Sequence, residues 1–297
     1  MINTEASRWN ILTALTWNCE GIKNSVFALK DVLDDYSPDL GFLSESQIFS
    51  ADIDLTLSLI SGSYCYSLNS DDVHDSDLAL AGSKSHGGTL LLWKKSLDPF
   101  VTILPVISRA FCALLLQLPG RKKSIHIAIY LPTSGRDPEF VSEITNLRVC
   151  LENLSLLHPD ALVYIRGDSN VNKNNARRSA MLNQLLSYFN LSSVIIDHPT
   201  YHHFTGNGLY DSSIDVILYS VKKGCKEWVT KILCKHENPT ILSHHDIILS
   251  SFTISLEPVR TQNNDLVIAP RIANNKQKVV WSAEGALEYG EQVAPLL

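Results

Sequence analysis

Short apolar runs closed by polar or glycine-containing turns recur along the chain, and a few longer stretches instead repeat their apolar positions at helical spacing. Residues 11–17 predict a strand, followed by the polar turn Asn18-Cys19-Glu20-Gly21. Val26, Phe27, Leu29, Val32 and Leu33 then predict a helix that ends near Ser37-Pro38. A strand over 39–43 delivers Ser44-Glu45-Ser46-Gln47 at its C-terminal end. Residues 67–88, rich in Ser, Asp and Gly, predict a long surface loop. Strands follow over 89–93, 111–118 and 124–131, the last two joined by the basic hairpin turn Pro119-Gly120-Arg121-Lys122-Lys123. Val141, Ile144, Leu147, Leu151 and Leu154 mark an amphipathic helix over 138–157, with Pro138 in its first turn. An apolar run over 161–165 predicts a buried strand that stops at Gly167, where the backbone turns without a Cβ penalty. A helix-prone segment over 174–189 and strands over 193–196, 213–219 and 246–254 complete the pattern. Strand hairpins interleaved with helices predict an α/β fold, a mixed-sheet sandwich and not a strict βαβ repeat.

Composition narrows the class. The 297 residues are 45% hydrophobic and 19% charged, which is globular. No apolar stretch approaches the ~20 residues that cross a bilayer, and the first residues lack a secretory pattern. The six cysteines contain no Cys-x-x-Cys pair and mostly sit in apolar runs. Buried thiols in a nuclear or cytoplasmic protein are therefore expected. A net charge of −6 argues against coating nucleic acid by bulk positive charge. A local basic rim is still expected from Lys94, Lys95, the Arg121-Lys122-Lys123 turn, Lys173, Arg177 and Arg178. After residue 255 the character changes to linker-like, so 10–255 is expected to form one domain and 256–297 a tail leading to a further region.

Polar residues gather at strand ends in this charge-poor chain: Asn18, Glu45, Tyr130, Asp168 with Asn170, and the late pair Asp215 and His245. The blocks Thr16-Trp17-Asn18-Cys19-Glu20-Gly21, Leu43-Ser44-Glu45, Ile129-Tyr130, Gly167-Asp168-Ser169-Asn170, Ser213-Ile214-Asp215 and Ser243-His244-His245 resemble, in order, the exonuclease–endonuclease–phosphatase superfamily. That superfamily includes pancreatic deoxyribonuclease and the apurinic/apyrimidinic endonucleases. Within it, the likeness is greatest to the endonuclease domain of LINE-type (non-LTR) retrotransposon reverse-transcriptase polyproteins.

The resemblance implies an α/β sandwich of the deoxyribonuclease type and a Mg²⁺-dependent endonuclease, with Mn²⁺ as an alternative. Glu45 would ligate the metal with Asn18 beside it. Asp168 would activate the attacking water, Asn170 would hold Asp168 or the phosphate, and His245 would donate to a phosphate oxygen. Asp215 would orient His245, and Tyr130 would contact the phosphate. It implies double-stranded DNA as substrate, nicked to 3′-hydroxyl and 5′-phosphate ends for retrotransposition, and fusion to a reverse transcriptase, with no membrane partner. Thr200, His202, His244, Ser213 and Arg177 are weaker candidates for substrate contact.

One position departs from the family pattern: His244 stands where an Asp usually precedes the last His. Asp246 is a possible substitute, since residues two apart on extended chain project to one side. Two other readings compete. The fold could be a DNA-binding scaffold disarmed at His244. Alternatively, Ser169, Asp215 and His245 could form a serine-hydrolase triad, although Val171 replaces the second glycine of a nucleophile elbow. A zinc site built from His202, His203, His244 and His245 is disfavoured, because adjacent histidines on extended chain point apart.

Overall fold

The computed structural model describes residues 11–69, 87–172, 174–206, 208–222, 225–234 and 240–256. These lie within one unit, Met1–Glu257. Apart from Leu256, the expected tail falls outside the described residues, as do Lys173 and most of the expected 67–88 loop.

β1 (Leu12–Asn18) runs into α1 (Ile22–Tyr36), which returns the chain to β2 (Leu40–Ser44), parallel to β1. α2 (Ser50–Thr56), β3 (Tyr64–Asn69) and β4 (Thr89–Lys94) follow. A second set contains β5 (Val101–Leu104), β6 (Phe111–Leu116) and β7 (Ser124–Tyr130), and then α3 (Asp137–Leu157) crosses over to β8 (Leu162–Asp168), parallel to β7. α4 (Ala176–Phe189), β9 (Leu191–Ser193), β10 (Tyr201–Thr205), β11 (Gly208–Ser212), β12 (Asp215–Ser220), β13 (Lys226–Leu233) and β14 (Ile247–Thr253) complete the order. Two six-stranded sheets result, ordered β13-β14-β1-β2-β4-β3 and β5-β6-β7-β8-β12-β9, with β10 and β11 as a separate ribbon. Among the described residues only the β1–β2 and β7–β8 pairs are parallel.

The chain stacks into four layers. Val26, Leu29 and Val32 of α1 cover Leu15 and Trp17 on the outer face of the first sheet. Phe140, Leu147 and Leu151 of α3, with Leu182 of α4, cover Ile125, Ile127 and Ile129 on the outer face of the second. Ala14, Phe42, Leu91, Leu114, Ala128, Leu162 and Tyr164 fill the space between the sheets. Central strands are thus buried on both faces, which is why they are near-continuous apolar runs in the sequence. The fold class is the expected mixed α/β sandwich.

Several local expectations need correction. Gly167 does not end its strand: β8 continues through it to Asp168. The glycine, at φ +136°, is required because a Cβ there would lie 2.2 Å from the Ile129 carbonyl oxygen and 2.8 Å from Ser44 Oγ. Residues 67–69 belong to edge strand β3 and not to the loop. The strand expected at 193–196 sits earlier, at Leu191–Ser193. Phe27 of α1 faces solvent. β3, β5, β10, β11, β13 and α2 were not foreseen. Edge strands such as β13 (Lys-Glu-Trp-Val-Thr-Lys-Ile-Leu) keep polar residues exposed and lose the apolar run.

One buried network is unexpected in an apolar core. Arg166 of β8, fully buried between the sheets, lies 4.5, 5.1 and 4.7 Å from the ring centres of Phe42, Tyr164 and Phe252. Its Nε donates to Glu227 Oε1 (2.8 Å), which also accepts from Ser250 Oγ (3.0 Å). Arg166 Nη1 donates to Nδ1 of His126 (3.3 Å), so the ring proton sits on Nε2 and faces Ser124 Oγ (2.8 Å). Burial and the adjacent guanidinium hold His126 well below the usual histidine pKa, hence neutral.

Gly167→Ala is expected to cost about 3 kcal/mol in urea denaturation, because its Cβ meets backbone that cannot yield. A loss below about 0.5 kcal/mol would show that β7 and Ser44 can yield there at little cost.

Candidate active site

Both parallel pairs point their C-terminal ends to one edge of the sandwich, where open sheets expose backbone and accept ligands. β1 ends at Asn18, β2 hands over to Glu45, β7 ends at Tyr130 and β8 at Asp168. Asp215 opens β12 directly opposite Asp168, and His245 enters just before β14.

Asn18 joins the two sheets. Its Nδ2 donates to Glu45 Oε2 at 3.1 Å and to Asp168 Oδ2 at 2.8 Å, while its Oδ1 accepts from the Glu20 backbone N–H at 3.1 Å. The other Glu45 oxygen accepts from Gln47 Nε2 at 2.8 Å. Asn170 aligns Asp168 from the far side: its backbone N–H reaches Oδ1 at 2.8 Å and its Nδ2 reaches Oδ2 at 3.1 Å. Tyr130 faces Glu45. Burial first, then the Glu45 and Asp168 charges, push its phenol far above the ordinary value, so it keeps its proton.

His245 is nearly fully buried. Its Nδ1 donates to Asp215 Oδ2 at 2.9 Å, which also accepts the Thr200 hydroxyl at 2.6 Å. That leaves Nε2 pointing towards Asp168, 3.9 Å from Oδ2. Burial alone would lower the imidazole pKa, but the Asp215 carboxylate, its hydrogen bond and Asp168 carry it up to about 9. Burial raises Asp168 to about 7, against the opposing pull of His245 and with a further push from Asp215. At neutral pH the pair is an imidazolium beside a carboxyl poised to titrate.

Left-handed backbone is concentrated here. Among the described residues six non-glycines have positive φ; Ser37 and Asn190 are helix C-caps, and the other four are Glu20, Glu45, Gln47 and Asn170. Such conformations cost energy and persist where packing over-determines them.

Glu45 offers two carboxylate oxygens, each accepting one amide N–H from Asn18 or Gln47, and oxygen ligands of this kind fit a hard divalent cation. Cys19 lies alongside, with Sγ 3.7 Å from the Glu45 carbonyl oxygen. Burial pushes its thiol up to about 12, so it offers no thiolate and does not soften the site.

Other expected residues are placed differently. His244 is turned towards Glu20, whose carboxylate accepts its backbone N–H at 2.9 Å and lies 2.8 Å from its Nδ1. Asp246 is no stand-in for the missing family Asp: it is fully buried and paired with His202 Nε2 at 3.0 Å. His202 is held between Asp246 and Asp211. Thr200 is buried on Asp215, and Ser213 Oγ donates to the His198 carbonyl at 3.4 Å. Ser169 is buried and donates its proton to the Ile214 carbonyl (2.7 Å), which removes it as a hydrolase nucleophile.

Three residues of the expected basic rim are engaged elsewhere. Lys94 pairs with Asp39 at the far end of β4, roughly 16 Å along the strand from Thr89. Arg121 is buried, donating to the Ile254 carbonyl, at the end of the second sheet away from Tyr130. Arg178 is a structural clamp on Asp137, Pro132, Thr133 and the Asn170 carbonyl. Arg177 is exposed at the start of α4, next to the site. Sequence reading missed Glu20 and Gln47, each two residues beyond a predicted ligand and thus able to share its side. It also missed Tyr201, whose ring packs 4.8 Å from that of His245.

Comparison with solved structures finds the same architecture. The endonuclease domain of TRAS1, a telomere-specific non-LTR retrotransposon, superposes with a TM-score of 0.58 at 13% identity, over 83% of this chain and 100% of that one. The AP endonuclease LMAP from Leishmania major gives 0.64 at 16%, covering 86% and 92%. TDP2 from D. rerio, complexed with single strand DNA product, gives 0.58 at 19%, covering 82% and 99%. No curated protein sequence matches the chain. A family model for the Endonuclease/Exonuclease/phosphatase family matches residues 15–224, and with that span, more than half its length, the chain belongs to this family.

Proposed function

We propose that the chain is a metal-dependent endonuclease that hydrolyses one strand of duplex DNA. The observation that carries this reading is the Asn18 amide holding Glu45 and Asp168 together, with His245 Nε2 facing the same point. Glu45, with Asn18 and Gln47 beside it, would hold a Mg²⁺ ion; Mn²⁺ suits the same donors. When bound there, such an ion supplies charge neutralisation at the phosphate and the departing 3′ oxygen.

The chain's own groups do the rest. Asp168 takes the proton of the attacking water as its oxygen bonds to phosphorus, and its pKa near 7 suits that exchange. Asn170 fixes the direction of the carboxylate. His245 donates from Nε2 to the non-bridging oxygen where charge accumulates, and Asp215 with Thr200 fixes its tautomer and charge. Tyr130, still protonated, offers a further donor. The bond from phosphorus to the 3′ oxygen breaks as that oxygen takes a proton from solvent water, leaving a 3′-hydroxyl and a 5′-phosphate. In a non-LTR element that 3′ end would prime reverse transcription, with residues 10–255 as the catalytic domain and the following segment leading to the polymerase.

Two features support DNA as the partner. Exposed Arg109, Arg136 and Arg177 sit at the site end of the sandwich and would contact backbone phosphates. The β10–β11 ribbon exposes Phe204, Leu209 and Tyr210, apolar groups suited to wedging against bases. The carboxylate of Glu20 beside His244 favours an intact site over a disarmed scaffold.

In nicking of supercoiled plasmid with Mg²⁺, Glu45→Ala, Asp168→Asn and His245→Ala are each expected to slow the rate about 10²- to 10⁴-fold. Chelation should abolish cleavage, and a serine-reactive phosphonate should leave it unchanged. Wild-type protein that nicks no faster than Glu45→Ala in both Mg²⁺ and Mn²⁺ would establish the scaffold reading instead. End-labelling should give 3′-hydroxyl termini; 3′-phosphates would contradict the proposed chemistry.

Activity should rise with pH as Asp168 loses its proton near 7 and fall as His245 loses its own near 9. Asp215 raises the imidazole pKa, so Asp215→Asn should move the alkaline fall to lower pH. An alkaline limb that this substitution leaves in place would separate it from His245.

A further inference from the structure

We propose that His198, His202, Cys234 and Asp246 form a site for one zinc ion, distinct from the Glu45 site, which ties the β10–β11 ribbon to the first sheet. The four come from separate segments: the stretch between β9 and β10, β10 itself, the residue after β13, and the residue before β14. Ligand atoms of His198, Cys234 and Asp246 all lie within 4.8 Å of one another. His202 Nε2 is 3.0 Å from Asp246 Oδ2, and His198 Nδ1 is 3.9 Å from the same oxygen. Tetrahedral zinc with ligands near 2.0–2.3 Å needs separations of about 3.3–3.8 Å, so His198, Cys234 and Asp246 must draw together and His202, held at Asp246, must swing towards the other two.

The chemistry of the set selects the metal. One thiol, two imidazoles and one carboxylate suit zinc and are poorly matched to Mg²⁺. A simple His202–Asp246 ion pair would need neither Cys234 nor a second histidine. Independent of the cluster itself, His202 Nδ1 sits 2.8 Å from Asp211 Oδ1, which directs Nε2 inward. Metal-ligating histidines are held by such outer carboxylates. Backbone bonds from His202 N–H to the His244 carbonyl (2.9 Å) and from Asp246 N–H to the Thr200 carbonyl (2.8 Å) hold the two segments together beforehand. An open cleft of about 670 Å³ has His198 on its wall beside Asp197, Tyr219 and Trp228, so this ligand is reached from solvent. Binding there costs His198 its local contact with the Pro199 carbonyl (2.6 Å).

The site would be structural. Thr200, between two of the ligands in sequence, pins Asp215, and Tyr201 packs on His245. An ion at this point would therefore hold the support of the catalytic imidazole while standing outside the reaction.

The test is Co²⁺ titration of the full chain, stripped with chelator and held in excess Mg²⁺. One equivalent should produce tetrahedral d–d absorption and a thiolate-to-cobalt charge-transfer band, both removed by Zn²⁺, and Zn²⁺ should raise the melting temperature. Cys234→Ser should lose the charge-transfer band. His198→Ala, at a solvent-facing position, should fold and bind Co²⁺ at least about tenfold more weakly; if Cys234→Ser does not fold, this variant decides alone. Absence of the band in wild type, or a band and affinity unchanged by these substitutions, would overturn the proposal.

Discussion

The Ser44 hydroxyl donates to the Ile129 carbonyl at 2.7 Å and accepts the Asp168 N–H at 3.2 Å, bringing β2 of one sheet against β7 and β8 of the other. The contact is possible only because residue 167 has no side chain. At this edge the sheets come close enough for Asn18 to reach Glu45 and Asp168 with one amide nitrogen. Elsewhere the sandwich is held apart by leucine, phenylalanine and tyrosine side chains. The site is thus where apolar filling stops and one side-chain hydroxyl bridges the sheets to backbone.

That closeness concentrates negative charge. Glu45 and Asp168 share one amide donor, and Asp215 faces Asp168 across the β8–β12 pair, where its charge adds to the burial that raises Asp168. Three devices counter it: shared amide donors from Asn18, Gln47 and Asn170, an imidazolium at His245, and backbone forced into left-handed conformations that aim the side chains. A cation at Glu45 would complete the balance. Strain and charge are stored together, as they are where a site is preorganised.

The parts legible in the sequence were those buried on two faces. β1, β2, β7 and β8 and their crossover helices were readable because apolar runs and helical periodicity leave little choice, and the site residues followed because they sit where those runs end. The edge strands were illegible: β13 (Lys-Glu-Trp-Val-Thr-Lys-Ile-Leu) is neither an apolar run nor a strict alternation, and β10 carries two histidines and two aromatics that satisfy neither template. The basic residues misled for a related reason. A charge run in sequence gives no sign of which end of a strand it occupies, and Arg121 and Arg178 proved to be buried partners of carbonyl groups. Side chains that act on other side chains, such as Thr200 on Asp215, leave no trace in spacing.

The buried Arg166–Glu227 pair has a meaning for how the chain finds its pairing. Alternation of inward and outward residues protects a strand against slipping by one place but not by two, since a double step restores the same facing. A double step of β8 would carry Tyr164 or Asp168 to the place of the guanidinium and leave the buried Glu227 without its partner, a penalty of several kcal/mol. The arginine thus works as a keyed tooth, admitting one alignment of the strand whose last residue must arrive beside Asn18.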